Sequence, residues 1–289
     1  MRVPMSWLRE YADPGVSTEE IAARLLVSTC EVERIVRRGV FDEGGNLGRF
    51  RVGKVLTAEK HPNADRLQVT TVDVGEKEPA HIVCGAWNFG AGATVAVALP
   101  GATLPSGLTL DRRELRGQVS EGMILAEDEV DLGSDHEGIM LLADGLEPGT
   151  PLADVLPLVE DVLEIDTTPN RPDLLSIYGL AREVAALFDV ELAPWPGVDP
   201  PRAGDEPVEV DVEDWDGCPR YLARLFRDVA IGPSPVWLKA RILAAGMRPI
   251  SNVVDVTNYV MLALGSPLHA FDHDTLAGGK VGVRRARDG

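Results

Sequence analysis

The sequence predicts an α+β protein of several domains, in which two helical segments flank a small inserted β-barrel and a third mixed unit follows a linker. Three observations favour this fold class. The 289 residues allow two or three domains at roughly 100–200 residues per domain. The spacing of apolar residues changes from a helical period to a period of two near Phe50. A proline-rich stretch over residues 194–207 then separates the last part of the chain.

The first forty residues predict helices. Pro4 precedes apolar residues at Met5 and Leu8 in a pattern typical of a short helix. The segment Ser17–Glu20 (STEE) has the form of a capping box, which predicts that a second helix begins near Ser17. A polar, glycine-rich break at Phe41–Leu47 ends this first unit, which we assign to residues 1–40.

Residues 41–150 predict the barrel. Short runs in which apolar residues alternate with others are separated by turn residues, and the runs lie at 52–56, 67–74, 81–84, 94–99, 108–115 and 123–125. Five or six short strands at this spacing favour a small barrel. A doubly wound sheet is disfavoured because no helical crossover of about 30 residues intervenes.

Residues 151–193 predict a return to helix. The acidic segment Leu152–Ile165 leads to Asn170–Asp173 (NRPD), where Asn170 or its neighbour is expected to cap the helix, with proline in the first turn and an aspartate favourable to the helix dipole. Arg171 is also able to bind an acidic surface. The apolar face of the helix is Leu174, Ile177, Ala181, Val184 and Phe188.

The last part, residues 208–289, predicts mixed structure. Strands are expected at 208–212, at Arg220–Val229 and at Lys280–Arg287. Helices are expected after Ser234, ending near Gly246, and over Val253–Leu264, ending at a glycine. The terminal strand has no predicted partner after it, so we expect an incomplete unit.

The charge of the chain is acidic and unevenly distributed. The formal net charge is −18 at pH 7. Residues 118–170 hold fourteen Asp and Glu residues and no Lys or Arg, whereas residues 217–252 hold six basic residues and one acidic residue, a net charge of +5. A polyanion is repelled by the first stretch and attracted by the second. Composition therefore argues against a general nucleic-acid binder but permits a local contact.

Several protein classes are excluded. The longest apolar runs, such as Thr94–Leu99, are far shorter than the roughly 18 residues needed to span a bilayer, and the N-terminus lacks the apolar region of a secretory signal. The three cysteines, Cys30, Cys84 and Cys218, are widely spaced and odd in number, which argues against a disulfide framework or a zinc cluster. They fit packing residues in a reducing compartment, so we expect a cytoplasmic protein.

Specific motifs narrow the identity. A first set, Val52–Val55 (VGKV), His61–Leu67 (HPNADRL) and Val83–Asn88 (VCGAWN), resembles the tRNA-binding oligonucleotide-binding (OB) module shared by several synthetase-associated proteins. Further sets lie at Val3–Leu8, Thr168–Asp173, Gly179–Val184, Met247–Ile250, Asn252–Val260 and Leu268–Asp272. Taken together and in this order, they resemble the N-terminal part of the β subunit of bacterial phenylalanine–tRNA ligase.

The resemblance implies a more detailed fold. It predicts an α+β multidomain chain with an N-terminal helical/α+β domain split into residues 1–40 and 151–193. A five-stranded OB barrel is inserted at 41–150, a linker follows at 194–207, and the start of an α/β editing domain of the B3/B4 type occupies 208–289. Family β subunits are much longer than 289 residues, so this domain is expected to be incomplete.

The resemblance also implies a function. Such a chain contributes tRNA binding, scaffold and part of a site that hydrolyses mischarged tyrosyl-tRNA(Phe), within an enzyme that attaches phenylalanine to tRNA(Phe). Its expected partners are tRNA(Phe) and the α subunit, in a heterotetramer of two α and two β subunits, with no DNA and no membrane. No cofactor or metal is expected in this chain, whose sequence lacks a glycine-rich phosphate loop; ATP and Mg²⁺ belong to the whole enzyme.

Candidate tRNA-binding residues lie in the barrel, where basic and aromatic side chains contact an oligonucleotide. Residues 48–131 hold nine basic and twelve acidic residues, so we expect weak contact. The alternatives are that His61–Leu67 is a turn that fixes strand register and that the tryptophan caps the barrel core. The candidates are Lys54, Lys60, His61, Arg66, Trp87, Asn88 and Phe89.

Candidate editing residues follow from the resemblance. They are Thr257, Asn258 and His269, with Arg248 nearby as a substrate-binding residue. His269 is able to position or activate water, and the alternative is a structural hydrogen bond. The glutamate that reads the tyrosine hydroxyl in the family lies further on, so the isolated chain is expected to edit little. Two other functions stay open: a free-standing tRNA-binding module or chaperone, and a free-standing deacylase of mischarged tRNA.

Overall fold

The computed structural model describes residues 1–133, 138–201, 204 and 208–287. Asp135 and Glu137 of the acidic stretch, and part of the predicted linker, lie outside the described residues. The strands are, in chain order, β1 (Arg2–Pro4), β2 (Glu31–Gly39), β3 (Phe50–Lys60), β4 (Gln68–Asp73), β5 (Ala80–Cys84), β6 (Thr94–Ala98), β7 (Arg113–Leu115), β8 (Gln118–Ser120), β9 (Met123–Ile124), β10 (Val159–Asp166), β11 (Glu209–Val212) and β12 (Lys280–Val283). The α-helices are α1 (Met5–Arg9), α2 (Thr18–Ser28), α3 (Ile177–Phe188), α4 (Val236–Ala244) and α5 (Asn252–Leu264).

The N-terminal unit is an antiparallel sheet in the order β1-β10-β2, packed against α1, α2 and α3. Val3 pairs with Leu163, which in turn pairs with Ile35, and this face of the sheet enters the apolar core. The expectation that the first forty residues are helical was wrong for β2, and the acidic segment 152–165 contains most of a strand. Both strands were missed because each pairs with a segment more than 100 residues away, and because arginines interrupt the apolar alternation of β2.

The predicted start of α2 is confirmed, whereas the predicted start of α3 is wrong. Ser17 caps α2 as predicted, since its hydroxyl accepts a hydrogen bond from the Glu20 amide at 3.2 Å. Asn170 does not cap α3. Residues Pro172–Leu175 form a 3₁₀ turn instead, and the Ser176 hydroxyl accepts from the Gly179 amide at 3.0 Å. The motif therefore builds a turn that packs against the helix rather than the first turn of the helix itself.

This close packing predicts a stability effect at Gly179. A Cβ atom added there lies 1.8 Å from the carbonyl oxygen of Asp173, which is backbone and cannot rotate away. We expect Gly179→Ala to lower the free energy of unfolding by about 3 kcal/mol because the turn must shift. Urea denaturation measures the change. The matched control is Gly48→Ala, where an added Cβ meets nothing within 4 Å, and equal stability of the two variants would contradict the prediction.

The inserted unit is an antiparallel five-stranded sheet in the order β5-β4-β3-β6-β9. Val55 pairs with Val72 on β4, and Val52 pairs with Ala96 on β6. The two end strands, β5 and β9, contact each other, so the sheet nearly closes into a barrel around an apolar core. The predicted small barrel is confirmed at this level. The predicted run 108–115 is a strand only over β7, which forms an exposed hairpin with β8.

The last unit contains a parallel pair, β11 with β12, connected through α4 and α5. The prediction of an unpaired terminal strand was therefore wrong, because Val281 pairs with Val210. The predicted strand at Arg220–Val229 is absent from the described residues: this segment has no regular secondary structure, and Leu222 and Phe226 are exposed. Helix α5 ends at Gly265 with a φ of 77°, as predicted.

Helices α4 and α5 hold the last unit against the rest of the molecule. The ring of Tyr259 on α5 stacks on Trp7 of α1, with centroids 4.7 Å apart and planes inclined by 8°. Arg241 of α4 lies 5.5 Å from the centroids of both Trp7 and Trp237 and forms an ion pair with Glu10. The Lys239 ammonium is 2.8 Å from the Glu127 carboxylate of the inserted unit. These contacts fix where α5 and the loop after it lie. In the part of the chain that is described, no helix has the length and apolar character needed to cross a membrane.

Candidate functional site

The candidate lysines of the barrel are partly neutralised by neighbouring groups. The Lys54 ammonium donates to the Thr94 hydroxyl at 3.2 Å and lies 3.9 Å from the Asp144 carboxylate. The Lys60 ammonium is 2.7 Å from the Asp65 carboxylate. Arg66 is exposed and has no ion pair among the residues described. Of the three cations, Arg66 is therefore the one most available to a phosphate.

His61 fits the structural alternative. It is only 2% exposed, so its ring cannot stack on a base. Its Nδ1 accepts a hydrogen bond from the Asn63 amide at 3.0 Å, and its Nε2 lies 3.1 Å from the Leu115 carbonyl oxygen, to which it donates. The Asn63 side chain donates to the Arg116 carbonyl at 3.2 Å. These bonds fasten the turn after β3 to the β7–β8 hairpin, as expected of a turn that fixes register.

Trp87, Asn88 and Phe89 follow β5 and differ in accessibility. The Trp87 side chain is 55% exposed, so it does not cap the barrel core and is free to stack on a base. The amide of Asn88 forms two hydrogen bonds with the backbone of Ile139, at 3.1 and 2.9 Å, which gives it a structural role. Phe89 packs partly against the barrel core. Trp87 is thus the stacking candidate that the structure leaves open.

Arg66 and Trp87 emerge at the same end of the barrel. Gln68, at the start of β4, pairs with Cys84, at the end of β5. The Gln68 side chain also donates to the carbonyl of Ala86 at 2.6 Å, so the segment before β4 and the segment after β5 stay side by side. A cation and an exposed ring at one barrel end are the elements that a single-stranded nucleic acid requires.

The editing candidates lie on α5 and on the loop that follows it. Thr257 and Asn258 belong to α5, where the Thr257 hydroxyl donates to the Val254 carbonyl at 2.7 Å. His269 is exposed, with its ring centroid 6.4 Å from that of Phe271. Within the described ranges, no hydrogen bond or ion pair joins any two of these three candidates. The three candidates predicted from the sequence therefore lie on α5 and the loop after it, but they do not form an enclosed pocket with other described residues.

Arg248 lies in a different place from the other editing candidates. It lines a groove of about 470 Å³ together with Arg2, Arg34 and Arg38. The sequence carries no local signal for this group of arginines, since its members lie far apart along the chain. A second hollow of about 220 Å³ lies between α4 and the N-terminal sheet and includes Trp237 and Glu160.

Arg171 and two of the cysteines have side chains that contact or pack against other parts of the protein. Arg171 forms ion pairs with Asp173 at 2.8 Å and Glu183 at 2.6 Å, and its hydrogen bond lowers the pKa of the Asp173 carboxyl. Burial raises the pKa of the Cys84 and Cys30 thiols, which keeps them protonated and unreactive. Among the described residues, no group of three His, Cys, Asp or Glu side chains is placed to hold a metal ion.

Comparisons with known proteins find two matching families and similar solved structures. The family described as "Putative tRNA binding domain" matches residues 50–151, which contain the barrel, and the "B3/4 domain" family matches residues 217–289. Among solved structures, the C-terminal domain of Plasmodium vivax p43 is 30% identical to this chain, with a TM-score of 0.28. The match covers 38% of this chain and 61% of the p43 chain.

Curated relatives match the whole chain. The phenylalanine–tRNA ligase β subunit of Nitratidesulfovibrio vulgaris is 44% identical over 100% of this chain, and that of Geobacter sulfurreducens is 46% identical over 100%. This chain covers 36% of each of these relatives, so it spans about a third of their length. Over its whole length the chain is therefore similar to phenylalanine–tRNA ligase β subunits, while residues 50–151 match the putative tRNA-binding family and residues 217–289 match the B3/4 family.

Proposed function

We propose that this chain acts as part of the β subunit of phenylalanine–tRNA ligase, where it contributes tRNA contact and scaffold. The observation that carries the proposal is identity of 44–46% to such subunits over the whole chain. In that role it works in the cytoplasm with an α subunit, in a heterotetramer of two α and two β subunits. The whole enzyme attaches phenylalanine to tRNA(Phe), and its ATP and Mg²⁺ bind outside this chain.

The finer domain division is part of the proposal. The N-terminal domain comprises residues 1–40 and 151–193, the OB barrel 41–150, the linker 194–207 and the start of the editing domain 208–289. Its support is that β2 and β10 pair in one sheet although the whole barrel lies between them in the sequence. An insertion at the end of β2 leaves the sheet of the host domain intact.

The tRNA contact is assigned to the barrel end that carries Arg66 and Trp87, with Lys60 beside them. His61 and Asn88 hold this end in shape through their hydrogen bonds, whereas Lys54 pairs with Asp73 at the opposite end of β4. The proposed recognition is stacking of one base on the exposed indole and contact of its phosphate with the guanidinium. Few free cations are available here, so the contact is expected to be weak.

Trp87→Ala tests this assignment. Stacking of a base on an aromatic side chain contributes roughly 1–3 kcal/mol, so we expect tRNA(Phe) binding to weaken about tenfold. Fluorescence anisotropy of labelled tRNA(Phe) at fixed salt measures the dissociation constant. The matched control is Trp215→Ala, which removes an indole that is 62% exposed in the last unit. An equal loss of affinity in both variants would point to a general effect and against the barrel end.

The editing contribution is assigned to Thr257, Asn258 and His269; Arg248, which was expected to bind substrate, lies apart from them in the groove with Arg2, Arg34 and Arg38. A pocket that accepts phenylalanine rejects tyrosine poorly because tyrosine only adds a hydroxyl. A second site that hydrolyses the mischarged product removes this error. Water attacks the ester carbonyl, the bond to the terminal ribose breaks, and tyrosine leaves; His269 orients the water or accepts its proton, and Asn258 holds the ester.

His269 is exposed in this chain, and water exclusion is part of what makes such a site effective. The isolated chain is therefore expected to hydrolyse tyrosyl-tRNA(Phe) little. Appreciable hydrolysis by the isolated chain would favour a free-standing deacylase instead.

The proposal as a whole is tested by assembly. The β subunit that contains this sequence is produced together with its α subunit, and the purified complex is assayed for aminoacylation of tRNA(Phe). We expect a complex of the two subunits that charges phenylalanine in the presence of ATP and Mg²⁺. Failure of the subunits to copurify, or charging of another amino acid, would contradict the assignment.

A further inference from the structure

We propose that an arginine-lined groove outside the barrel binds the phosphodiester backbone of tRNA. This arginine groove is formed by Arg2, Arg34, Arg38 and Arg248. The identity of the RNA rests on the proposed function, whereas the binding chemistry rests on the groove alone. It adds a second RNA contact to the one assigned to the barrel end.

The groove follows from the pairing of β2 with β10. Arg34 pairs with Glu164, and Val36 pairs with Val162. Side chains two residues apart on a strand share one face of the sheet, so these residues lie on the face opposite the apolar core. Helix α4 covers part of this outer face and ends at Ala244. The space beyond its end is the groove, of about 470 Å³.

The charge in the groove is strongly positive for this protein. Four arginines and one carboxylate, that of Glu164, line the groove, in a chain whose formal net charge is −18. Arg2 and Arg34 both reach Glu164 through Nε, at 2.8 and 2.5 Å. In the part of the chain that is described, their terminal Nη groups form no hydrogen bond, and their side chains are 49% and 64% exposed. On each arginine, the four N–H donors of the two Nη nitrogens are therefore left without a protein acceptor among the described residues.

The other two arginines complete the arrangement. Arg38 donates from Nη1 to the Leu243 carbonyl at 2.8 Å, which satisfies a carbonyl in the last turn of α4 and offsets the negative end of that helix dipole. Arg248 follows α4, is exposed, and forms no ion pair with a described residue. Free guanidinium groups at one site bind phosphate oxygens in a bidentate manner.

The shape of the groove favours a polyanion over a single phosphate. Arg34 and Arg38 are four residues apart on one strand, which separates them by about 13 Å, more than one phosphate group can bridge. Between them Val36 and Val162 form an apolar floor that suits the sugar of a nucleotide. The groove also explains how RNA can bind a chain whose barrel lacks a surplus of positive charge, since the phosphate contacts are made elsewhere.

The test compares the parent chain with Arg34→Gln/Arg248→Gln. Binding of a tRNA(Phe) transcript is measured by anisotropy between 50 and 200 mM KCl, roughly the range over which phosphate contacts dominate affinity. We expect affinity at the lowest salt to fall about tenfold and the log–log salt slope to fall by about 1.4, for two contacts at roughly 0.7 each. The control Arg24→Gln/Arg182→Gln removes two exposed helix arginines and is expected to match the parent. Parent-like binding by the groove variant would overturn the proposal.

A second variant changes binding in the opposite direction. Glu164→Gln removes the one carboxylate that the arginines share, so we expect tRNA to bind several-fold more tightly. Weaker binding by a variant with an unchanged circular dichroism spectrum and melting temperature would overturn the proposal. In competition, a 12-nucleotide oligouridylate is expected to displace the tRNA at far lower concentration than a 12-residue polyglutamate. Equal displacement would assign the groove to acidic peptides instead.

The outcomes separate this inference from the proposed function. If Trp87→Ala weakens binding and the groove variant does not, the barrel contact stands and the groove contact is wrong. If only the groove variant weakens binding, the groove contact stands and the barrel assignment is wrong. A parent chain that binds no tRNA at 50 mM KCl, a salt at which phosphate contacts are strong, contradicts both.

Discussion

Within the assembled synthetase, His269→Ala is expected to slow hydrolysis of tyrosyl-tRNA(Phe) by roughly 10²-fold, the usual contribution of a positioned acid–base group. Charging of tRNA(Phe) with phenylalanine is expected to stay within about twofold of the parent, because aminoacylation takes place at a different site. The loop after α5 presents the imidazole to solvent and holds it in no hydrogen bond with another described residue, so its removal should disturb little of the fold. Deacylation of preformed tyrosyl-tRNA(Phe), measured beside aminoacylation on the same preparation, separates the two activities.

The matched control for this change is His273→Ala. His273 lies four residues further on and is exposed, and its Nδ1 lies 3.8 Å from the Asp274 carboxylate. It is expected to leave both activities unchanged. If His269→Ala lowers charging as much as deacylation, or if the two histidine variants behave alike, the assignment of His269 to editing is wrong.

Trp7→Ala is expected to lower the free energy of unfolding by about 4 kcal/mol, within the range for deletion of a buried tryptophan. Trp7 is fully buried, stacks on Tyr259 at 4.7 Å and lies 5.5 Å from the Arg241 guanidinium. Its removal opens a cavity in the N-terminal core and also removes the surface on which α5 rests. Urea denaturation followed by circular dichroism measures the loss.

Because Trp7 lies between the N-terminal unit and α5, the order in which the units are cleaved by a protease is a second test of this prediction. Tyr259→Ala removes the partner ring without emptying the N-terminal core, so it is expected to cost less than Trp7→Ala and to expose α4 and α5 to proteolysis first. Trp215→Ala, which removes an exposed indole, is the control for stability. A loss below about 1 kcal/mol for Trp7→Ala, the size expected of a surface position, would show that α5 is not held by this stack.

Elements with local signals could be predicted from the sequence. The Ser17 cap, the glycine that ends α5 and the short alternating runs of the barrel all lie within a few residues of the structure that they determine. The strands β2 and β10 could not be predicted in this way, because their pairing is non-local and arginines on both faces of β2 hide its period. The start of α3 was displaced from Asn170 to Ser176 because the intervening proline segment closed into a 3₁₀ turn.

The candidate site could be predicted only in part. Arg66 and Trp87 each belong to a short local motif, His61–Leu67 and Val83–Asn88, and both are accessible, so their residue types pointed to the exposed end of the barrel. His61 and Asn88 belong to the same two motifs, yet their polar atoms bind backbone groups of Leu115 and Ile139. The arginine groove had no signal in the sequence, since three strands and the end of α4 bring its residues together.

Phenylalanine-dependent exchange between ATP and pyrophosphate tests the central claim most directly, namely that this chain serves a synthetase whose amino-acid activation takes place elsewhere. The isolated chain is predicted to catalyse no exchange, while the α subunit combined with the β subunit that contains this sequence is predicted to catalyse exchange stimulated by phenylalanine. Exchange by the isolated chain, or by the complex with some other amino acid in place of phenylalanine, would contradict the claim.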